Sequence, residues 1–550
     1  MNHKAVLFLT GLALSSALAT TAGATAQAQW PVKLGETSSI FVPPTFGDID
    51  GDGIAEVITV VANPLSAGVT RQGIYAYRQD GSEVLDGDGD PLTDGVFKRL
   101  TMPPGHTRQP VTLGELNSNP GFEIFYYGKN TIEAVQGDGS DVPGWPLQFA
   151  NTFDSLYAPI VIADVDRDGF DDVIFTSGYD TQSQISKLHV VDRHGVALPG
   201  WPVQIPRAAF GVTVHVAVVG DFAGASGLEI VVGSNPTTLP SGICCVDSGG
   251  ALLWSYPVAA HDLVAGDMTR DGRLDLVAVE VPRVELGRWV TGVVVLNGDG
   301  RVIAEQKLDL GLRRDEHSFQ TINNVPNVEV ERQTNAYIGA HPFNENPPDV
   351  LFLGHVNQDR FLDAVFSVRF MDMETYGLGG IEFQYPTVFA NEGHTYALDP
   401  THQQIVLDVA HSYVTGAQIS WMDKFVSADR LVDLDGDKFQ EVVTSEIDYL
   451  IPGVSEVTLR FWDHHGQELL SDVTRSTTPE TGFVLEPVLR RATFGELAHG
   501  GRLDFALNMR RGELHRKRAS FGATGPARSS GEWPVYRQNN QRTGVQSARY

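Results

Sequence analysis

Four carboxylates with regular spacing form the group in this sequence best suited to binding a ligand. Asp48, Asp50, Asp52 and Glu56 stand at positions 1, 3, 5 and 9 of a nine-residue segment, and Gly53 stands at position 6. Oxygen atoms at alternate positions that close on one point suit a hard cation with six to eight oxygen ligands, which indicates calcium. Glycine allows the sharp backbone turn that such a loop requires.

The residues after this segment distinguish it from an EF-hand. An EF-hand loop takes a bidentate glutamate at its twelfth position and then enters a helix. Here the twelfth residue is Thr59, and the run Val57-Ile58-Thr59-Val60 is typical of a β-strand. We therefore predict a strand–loop–strand calcium site.

The nine-residue pattern recurs along the chain. Its eight copies begin at Asp48, Glu115, Asp164, Asp221, Asp267, His355, Asp433 and Glu496. Four copies retain enough oxygen ligands to predict a metal site, although the copy at Asp267 has threonine at position 3 and the copy at Asp433 has Lys438 at position 6. The predicted ligands are Asp48, Asp50, Asp52, Glu56, Asp164, Asp166, Asp168, Asp172, Asp267, Thr269, Asp271, Asp275, Asp433, Asp435, Asp437 and Glu441. We expect about three to five structural Ca²⁺ ions, with the copies at Asp221 and Glu496 empty and those at Glu115 and His355 undecided.

A second sequence motif follows the loops and indicates the fold class. It is an alternating strand that ends in a polar turn with glycine, as in Leu188–Gly195 and Val293–Gly300. Each copy of the pattern then supplies four strands, and repeats of a few tens of residues built only from strands predict an all-β propeller of four-stranded blades. Eight copies favour eight blades over seven. Either the segment at Trp30 or that at Trp533 supplies the strand that closes the ring.

These motifs resemble a known repeat. Phe46-Gly47-Asp48 with its loop is similar to the FG-GAP repeat of integrin α-subunit propellers and to bacterial VCBS-repeat proteins. The ending Trp533-Pro534-Val535-Tyr536 is similar to the tail of secreted bacterial members. The resemblance covers residues 29–550 as a single propeller and implies calcium binding, but it does not imply one function, because propellers host binding proteins and enzymes alike.

The N-terminus and the charge of the chain limit its location and partners. Lys4, the apolar run Ala5–Ala19 and the small residues of Ala26-Gln27-Ala28 predict a signal peptide over residues 1–28. We expect a secreted or periplasmic protein, with no lipid-modified cysteine at the cleavage site and no later membrane span. The net charge of -28 makes nucleic acid an improbable partner.

Two long insertions are predicted to form the ligand-binding face. In a meander of antiparallel strands the calcium loops share one face, so the insertions at about 308–350 and 368–394 share the opposite one. We predict that they are irregular loops. The candidate ligand-binding residues within them are Arg313, Arg314, His317, His341, Arg369, Tyr376 and Tyr385.

Three functions compete at this point. The first is a binding or adhesion module for a glycan or a surface protein at the cell exterior. The second is a polysaccharide lyase that uses arginine, histidine and tyrosine on an acidic polysaccharide, although no spacing among these residues identifies catalytic groups. The third and most remote is a quinoprotein dehydrogenase, suggested by the adjacent Cys244 and Cys245 and by Asp247–Gly250 with Trp254.

Overall fold

The computed structural model is built from β-strands throughout the part of the chain that it describes. The described residues are 30–34, 43–61, 73–85, 96–99, 110–128, 131–148, 160–177, 186–205, 217–224, 227–233, 242–322, 325–338, 350–378, 381–413, 424–434, 437–451, 454–476, 493–495, 504–509, 513–518, 520–521 and 525–526. None of these residues lies in a helix with the length and apolar character needed to span a bilayer. The predicted signal peptide, His341, Asp435, Glu496 and Trp533 lie outside the described residues.

The described strands form eight antiparallel sheets of four to six strands and one two-stranded ribbon. The first strand is β1 (Val32–Lys33). Sheets one to four contain β2 (Thr45–Gly47), β3 (Glu56–Val61), β4 (Gly73–Tyr77) and β5 (Val96–Arg99); β6 (Thr112–Gly114), β7 (Glu123–Gly128), β8 (Thr131–Val135) and β9 (Leu147–Gln148); β10 (Val161–Ala163), β11 (Asp172–Ser177), β12 (Ser186–Val191) and β13 (Val203–Ile205); and β14 (Val218–Gly220), β15 (Glu229–Gly233), β16 (Ile243–Val246) and β17 (Leu252–Tyr256).

The later sheets contain the longer strands. Sheets five and six contain β18 (Ala260–Gly266), β19 (Asp275–Glu280), β20 (Arg283–Glu285), β21 (Arg288–Leu296) and β22 (Val302–Leu312); and β23 (Asp315–Ile322), β24 (Val325–Ile338), β25 (Leu351–Gly354), β26 (Asp363–Leu378), β27 (Ile381–Asp399) and β28 (Gln404–Tyr413). Sheet seven contains β29 (Lys424–Val432), β30 (Glu441–Ile451), β31 (Val454–Trp462) and β32 (Glu468–Ser476), and sheet eight joins β1 to β33 (Thr493–Gly495), β34 (Asp504–Met509) and β35 (Glu513–Arg518). The ribbon pairs β36 (Ser520–Phe521) with β37 (Gly525–Pro526).

The core of the protein lies between neighbouring sheets. Successive residues of a strand point to opposite faces, so a strand between two sheets is apolar on both sides. Cys244 accordingly packs into the apolar cluster between sheets three and four, and Cys245 packs into the cluster between sheets four and five. Both are buried free cysteines, as the two-face argument predicts for neighbours in a strand.

The innermost strands also contact one another from sheet to sheet. Contacts join β6 to β10, β14 to β18, β18 to β25 and β25 to β29. Sheet eight returns to sheet one, because β33 contacts β2. The two ends of the described chain also meet in one sheet, where Val32 of β1 is paired with Leu514 of β35. The segment that follows Trp30 is thus a strand of sheet eight, whereas Trp533 lies outside the described residues.

Tryptophan side chains connect four of the described sheets to the polar turn of the next sheet. The indole Nε1 of Trp145 donates a hydrogen bond to the carbonyl of Arg193 at 3.0 Å, and that of Trp201 donates to Ser248 at 2.8 Å. Trp30 and Trp254 donate in the same way to Gln79 and Gly298. Each acceptor is the second residue of a polar turn. The recurring tryptophans therefore make the same contact between neighbouring repeats.

The prediction that the two insertions are irregular loops is wrong. Residues 315–322 and 325–338 form β23 and β24, and the second insertion continues as β26 and β27. β24 pairs with the far part of β26, from Glu329 opposite Gly377 to Ile338 opposite Val368. The two insertions satisfy each other's backbone hydrogen bonds as neighbouring strands, so they need not remain irregular.

Candidate functional site

The ninth residue has a structural role of its own in the seven loops that the structure describes. Its carboxylate accepts a hydrogen bond from the backbone N–H of the second residue, at 2.9 Å for Glu56 with Ile49 and at 2.9 Å for Asp172 with Val165. The loops that begin at residues 115, 221, 267, 355 and 433 repeat this bond. A carboxylate at position 9 therefore closes the loop, which explains why the residue persists in copies that lack other ligands.

The first residue of the loop arranges the turn. Asp48 accepts hydrogen bonds from the N–H groups of Gly51 at 2.7 Å and Gly53 at 2.8 Å. Asp164 accepts from Asp168 at 2.9 Å and Gly169 at 3.0 Å. These bonds fix the first carboxylate of the loop against the backbone of the turn.

We number the loops one to eight in chain order, so that loop one begins at Asp48 and loop three at Asp164. These two loops have the dimensions of a calcium site. One ligand atom each from Asp48, Asp50 and Glu56 lies within 4.8 Å of the others, and the same holds for Asp164, Asp166 and Asp172. Calcium–oxygen bonds of about 2.3–2.6 Å place ligand atoms up to roughly 5 Å apart across the ion. The residues present in these two loops therefore fit the ion that the sequence predicts.

The ligands of loops five and seven keep the same backbone arrangement. Gly272 donates to Asp267 at 2.9 Å, and Thr269 donates through its hydroxyl to Asp275 at 3.3 Å. In loop seven the N–H of Lys438 donates to Asp433 at 3.1 Å. Asp437 accepts from the N–H of Phe439 at 2.8 Å.

Lys438 shows that loop seven keeps the turn without glycine. Its φ is 79°, in the left-handed region where Gly53, Gly169 and Gly272 also lie. A side chain in that region costs about 1–2 kcal/mol. We expect Lys438→Gly to raise the free energy of unfolding by about 0.5–1 kcal/mol, since part of this gain is offset by the greater flexibility of glycine in the unfolded chain. Urea denaturation measures the change. Lys438→Ala keeps the Cβ and should give no stabilisation, so equal stabilisation by both variants would contradict the strain argument.

The loops of neighbouring sheets are hydrogen-bonded to each other. The N–H of Phe122 in loop two donates to the carbonyl of Asp48 in loop one at 2.9 Å. Leu228 of loop four donates to Val165 of loop three at 2.8 Å, and Gln440 of loop seven donates to the carbonyl of His355 at 2.7 Å. An ion that orders one loop would thus also support the neighbouring sheet.

Burial and crowding raise the pKa of the ninth carboxyl group. The pKa of Glu56 is raised to about 7, first by burial and then by the negative charges of Asp50, Asp48 and Asp52. Burial likewise raises the pKa of Asp172 to about 7, with Asp166 and Asp168 adding to the effect. Burial also raises the pKa of Asp275, to about 6. A cation in the loop would offset this cost, because it favours the ionised form.

These shifts predict a pH dependence of the calcium-free protein. An acid whose pKa is higher in the folded state stabilises the fold below its unfolded pKa of about 4, and that contribution is lost as the pH rises through the folded pKa near 7. Protein freed of calcium on a chelating resin should therefore melt at a lower temperature at pH 8 than at pH 6.

The calcium-loaded protein provides the comparison for this pH series. Between pH 6 and 8 calcium should remove most of the decline in melting temperature, because the ion replaces the proton. Buried His189 and His411, whose pKa values are lowered to about 4 by burial, contribute in the opposite direction mainly below their unfolded pKa near 6.5. A calcium-free protein that gains stability from pH 6 to 8 would refute the prediction.

The degenerate loops use other contacts at the same positions. In loop four, Asp221 accepts a hydrogen bond from the guanidinium of Arg167 in loop three at 2.6 Å. In loop six, the ring Nδ1 of His355 lies 3.0 Å from the carbonyl of Phe361. An arginine at position 4 of the preceding loop is the sequence signal that we missed for the contact in loop four.

Four of the predicted ligand-binding residues lie in strands of sheet six. Arg369 of β26 is buried and is paired through its backbone with Tyr337 of β24. His317 of β23 lies opposite Glu331, and Tyr376 lies opposite Val330. Tyr385 lies in β27. These residues therefore lie at different positions along strands of 8 to 19 residues.

Acidic partners accompany several of the predicted cationic groups. Arg313 forms an ion pair with Asp315 at 3.1 Å, and His317 Nε2 lies 2.5 Å from a carboxylate oxygen of Glu329. Arg314 contributes its backbone carbonyl to a hydrogen bond from Thr334. Arg313 and His317 therefore each lie beside a carboxylate of this region.

An aromatic side chain that the sequence analysis did not select is prominent in this region. Phe319 of β23 is 64% exposed, and its ring lies 5.2 Å from that of His317 in an edge-on arrangement. Such amphipathic stripes suit stacking contacts with a partner. The alternation along β23 could have indicated this pair, but only once the segment was recognised as a strand.

Comparison with known proteins finds loose structural likenesses. No protein-family model matches the chain, and no curated protein matches it. The biofilm matrix protein Bap1 of V. cholerae is 12% identical, with a TM-score of 0.39 over 95% of each chain. The C-terminal domain of Pseudomonas aeruginosa PilY1 is 10% identical, with a TM-score of 0.33 over 75% of this chain and 93% of that one. Drosophila Semaphorin 1b, extracellular domains 1-2, is 9% identical, with a TM-score of 0.31 over 74% and 85%. Superpositions this loose carry no inference about function, and the FG-GAP and VCBS resemblance stays a prediction from the motifs.

Proposed function

We propose that this chain is a calcium-stabilised β-propeller of eight blades that acts outside the cell as a binding module for a glycan or a surface protein. Each of the eight sheets is one blade, and the strand that follows Trp30 closes the ring. The contact of β33 with β2 and the pairing of β1 with β35 support this closure. The apolar clusters between successive sheets support a radial arrangement.

Calcium would act in this propeller as a structural ion. The ligands that would hold it are the carboxylates of loops one, three, five and seven, together with Thr269. When bound, calcium supplies positive charge to buried carboxylates that otherwise repel one another. The loop-to-loop hydrogen bonds of Phe122 and Leu228 support a role in joining blades.

Export of the chain is part of the proposal and rests on the sequence. Residues 1–28 carry the positive start, apolar run and small-residue cleavage site of a signal peptide. The calcium concentration outside cells suits loop sites of modest affinity. Cleavage after Ala28 would be visible as a mature N-terminus at Gln29.

The projecting part of sheet six is the observation that carries the binding proposal. β26 and β27 contain 16 and 19 residues, whereas the strands of sheet one contain 3 to 6. β26 begins at loop six and ends at Leu378, so its excess length extends away from the calcium loop of its own blade. β23 lines the edge of this extension, and an edge strand with exposed side chains is a ready surface for a partner.

A binding experiment with variants of this edge tests the proposal. The purified protein would be applied to immobilised neutral and acidic polysaccharides and to surface proteins extracted from producing cells. The double variant His317→Ala with Phe319→Ser should lose most binding, while Asp299→Asn, which changes an exposed turn residue of sheet five, should not. Equal binding by both variants would refute a role for this edge. Appearance of unsaturated sugar products on an acidic polysaccharide would instead identify a lyase.

A further inference from the structure

Loop two joins the two loops that fit calcium but lacks their set of carboxylates. It begins at Glu115 and ends at Glu123, with Asn117 and Asn119 at positions 3 and 5. Both oxygens of its ninth carboxylate accept hydrogen bonds from the loop itself: Oε2 from the backbone N–H of Leu116 at 2.7 Å, and Oε1 from the side-chain amide of Asn117. Loop two is therefore closed by its own groups, whereas in loops one and three an oxygen of the ninth carboxylate belongs to the group of ligand atoms.

The end of loop two is bound to the start of loop one. The N–H of Phe122 donates to the carbonyl of Asp48 at 2.9 Å. The two backbones are also in close contact, since a Cβ on Gly121 would lie 2.5 Å from the carbonyl oxygen of Ile49. A displacement of Asp48 and Ile49 therefore also displaces the end of loop two.

Two hydrogen bonds join the start of loop two to the end of loop three. The N–H of Glu115 donates to Oδ2 of Asp171 at 3.0 Å, and the N–H of Asp171 donates to the carbonyl of Glu115 at 3.3 Å. Asp171 is the eighth residue of loop three and precedes the predicted ligand Asp172. The link to loop three thus lies next to its ninth carboxylate.

These contacts between loops alternate with the bonds that close each loop. A closing bond joins the second and ninth residues of a loop, and each contact between loops involves a residue next to one of these. The series of bonds joins Glu56 to Ile49, Asp48 to Phe122, Glu123 to Leu116, Glu115 to Asp171, and Asp172 to Val165. Closure of one loop therefore favours closure of the next.

We propose that loop two couples loops one and three, so that they bind calcium with positive cooperativity while loop two itself takes no ion. This inference rests on the proposed calcium binding of loops one and three. Without an ion the clustered carboxylates repel one another and oppose closure. Once one loop has closed on calcium, loop two is ordered and the other loop is already partly ordered, so its own binding costs less entropy. The coupling is reciprocal, and we expect it to be at least about fivefold.

Calcium titration of the full mature chain measures this coupling. Asp267→Asn with Asp433→Asn disables loops five and seven, and isothermal titration of this background should show two bound ions. Adding Asp164→Asn leaves loop one alone, and adding Asp48→Asn instead leaves loop three alone. The overall binding constant of the pair should exceed the product of the two single-loop constants by at least about fivefold.

Substitutions outside the two calcium loops' ligands test the role of loop two. Asn117→Ala removes the amide that binds Glu123, and it should reduce the coupling below about twofold while both ions still bind. Asn119→Ala removes an exposed amide of the same loop and is the matched control, which should retain the coupling. Asp171→Ala removes the side-chain acceptor of the Glu115 N–H and should reduce the coupling as Asn117→Ala does.

The possible outcomes separate this coupling from calcium binding itself. Two ions that bind independently would overturn the coupling and leave the calcium sites intact. Coupling that persists in Asn117→Ala and Asp171→Ala, even with altered affinities, would also overturn the role of loop two. Three bound ions in the background variant would show that loop two binds calcium itself, and a chain that binds no calcium would refute the calcium proposal as well.

Discussion

Removal of calcium is expected to lower the melting temperature of the protein by roughly 10 °C. Each ion bound only by the folded state stabilises it by about 2.7 kcal/mol when calcium is at one hundred times its dissociation constant. Three or more such ions give roughly 8 kcal/mol, which corresponds to a shift of this size in a large chain. Circular dichroism or calorimetry of the resin-treated and calcium-loaded protein measures the difference.

Substitutions in the two best loops localise this effect. Asp48→Asn with Asp164→Asn removes the first carboxylate of loops one and three and should abolish about half of the calcium-dependent stabilisation. Asp299→Asn removes one exposed acidic charge outside the loops and should abolish none. Calcium-independent melting of the native protein would refute the metal assignment, and magnesium alone should restore little stability, because it demands a smaller octahedral site.

Gly137→Ala is expected to destabilise the protein by about 3 kcal/mol. Gly137 lies in the polar turn of sheet two, and a Cβ there would lie 1.8 Å from the carbonyl oxygen of Ile49 in loop one. The obstacle is backbone that is itself held by the closing bond to Glu56, so it cannot move aside cheaply. Overpacking of this kind typically costs about 1–3 kcal/mol. We also expect weaker calcium binding by loop one, because the clash displaces the second residue of that loop.

A glycine in the corresponding turn of sheet four is the matched control for Gly137. A Cβ on Gly249 would meet only the carboxylate of Asp247, at an ordinary 3.4 Å. Urea denaturation of Gly249→Ala should therefore show a change below about 1 kcal/mol. If Gly137→Ala is equally mild, the turn of sheet two does not rest on loop one. The contact has a second instance, since a Cβ on Gly298 would lie 1.9 Å from the carbonyl of Phe222 in loop four.

The repeat could be predicted from local patterns in the sequence, because each pattern depends on residues that are only a few positions apart. Alternate carboxylates and a left-handed turn belong to one loop, so the nine-residue spacing of Asp48 to Glu56 predicts its geometry without knowledge of the rest of the chain. The strand after each loop follows from β-branched residues in the same way. The sequence indicated position 9 only as a metal ligand. Its second role, as the hydrogen-bond acceptor that closes the loop, requires the same carboxylate and so leaves no separate signal in the sequence.

Contacts between distant segments could not be predicted in this way. The insertion at 315–338 has the polar composition of a loop, and it becomes a strand because β26 offers it a free edge. The same is true of Asp399 and His402, which are 40 or more residues from Asp359 in sequence and come close to it only because β27 returns antiparallel to β26.

The sequence by itself determined the loops, the strands that flank them and the number of repeated units to look for, because these depend on spacing within one hairpin. Only the tertiary structure decided that β1 completes sheet eight, that several of the described loops are hydrogen-bonded to their neighbours, and that His402 lies beside Asp359 in sheet six. Those outcomes depend on which edges and turns meet in space, and hydrogen bonds between separate segments leave no fixed spacing in the chain.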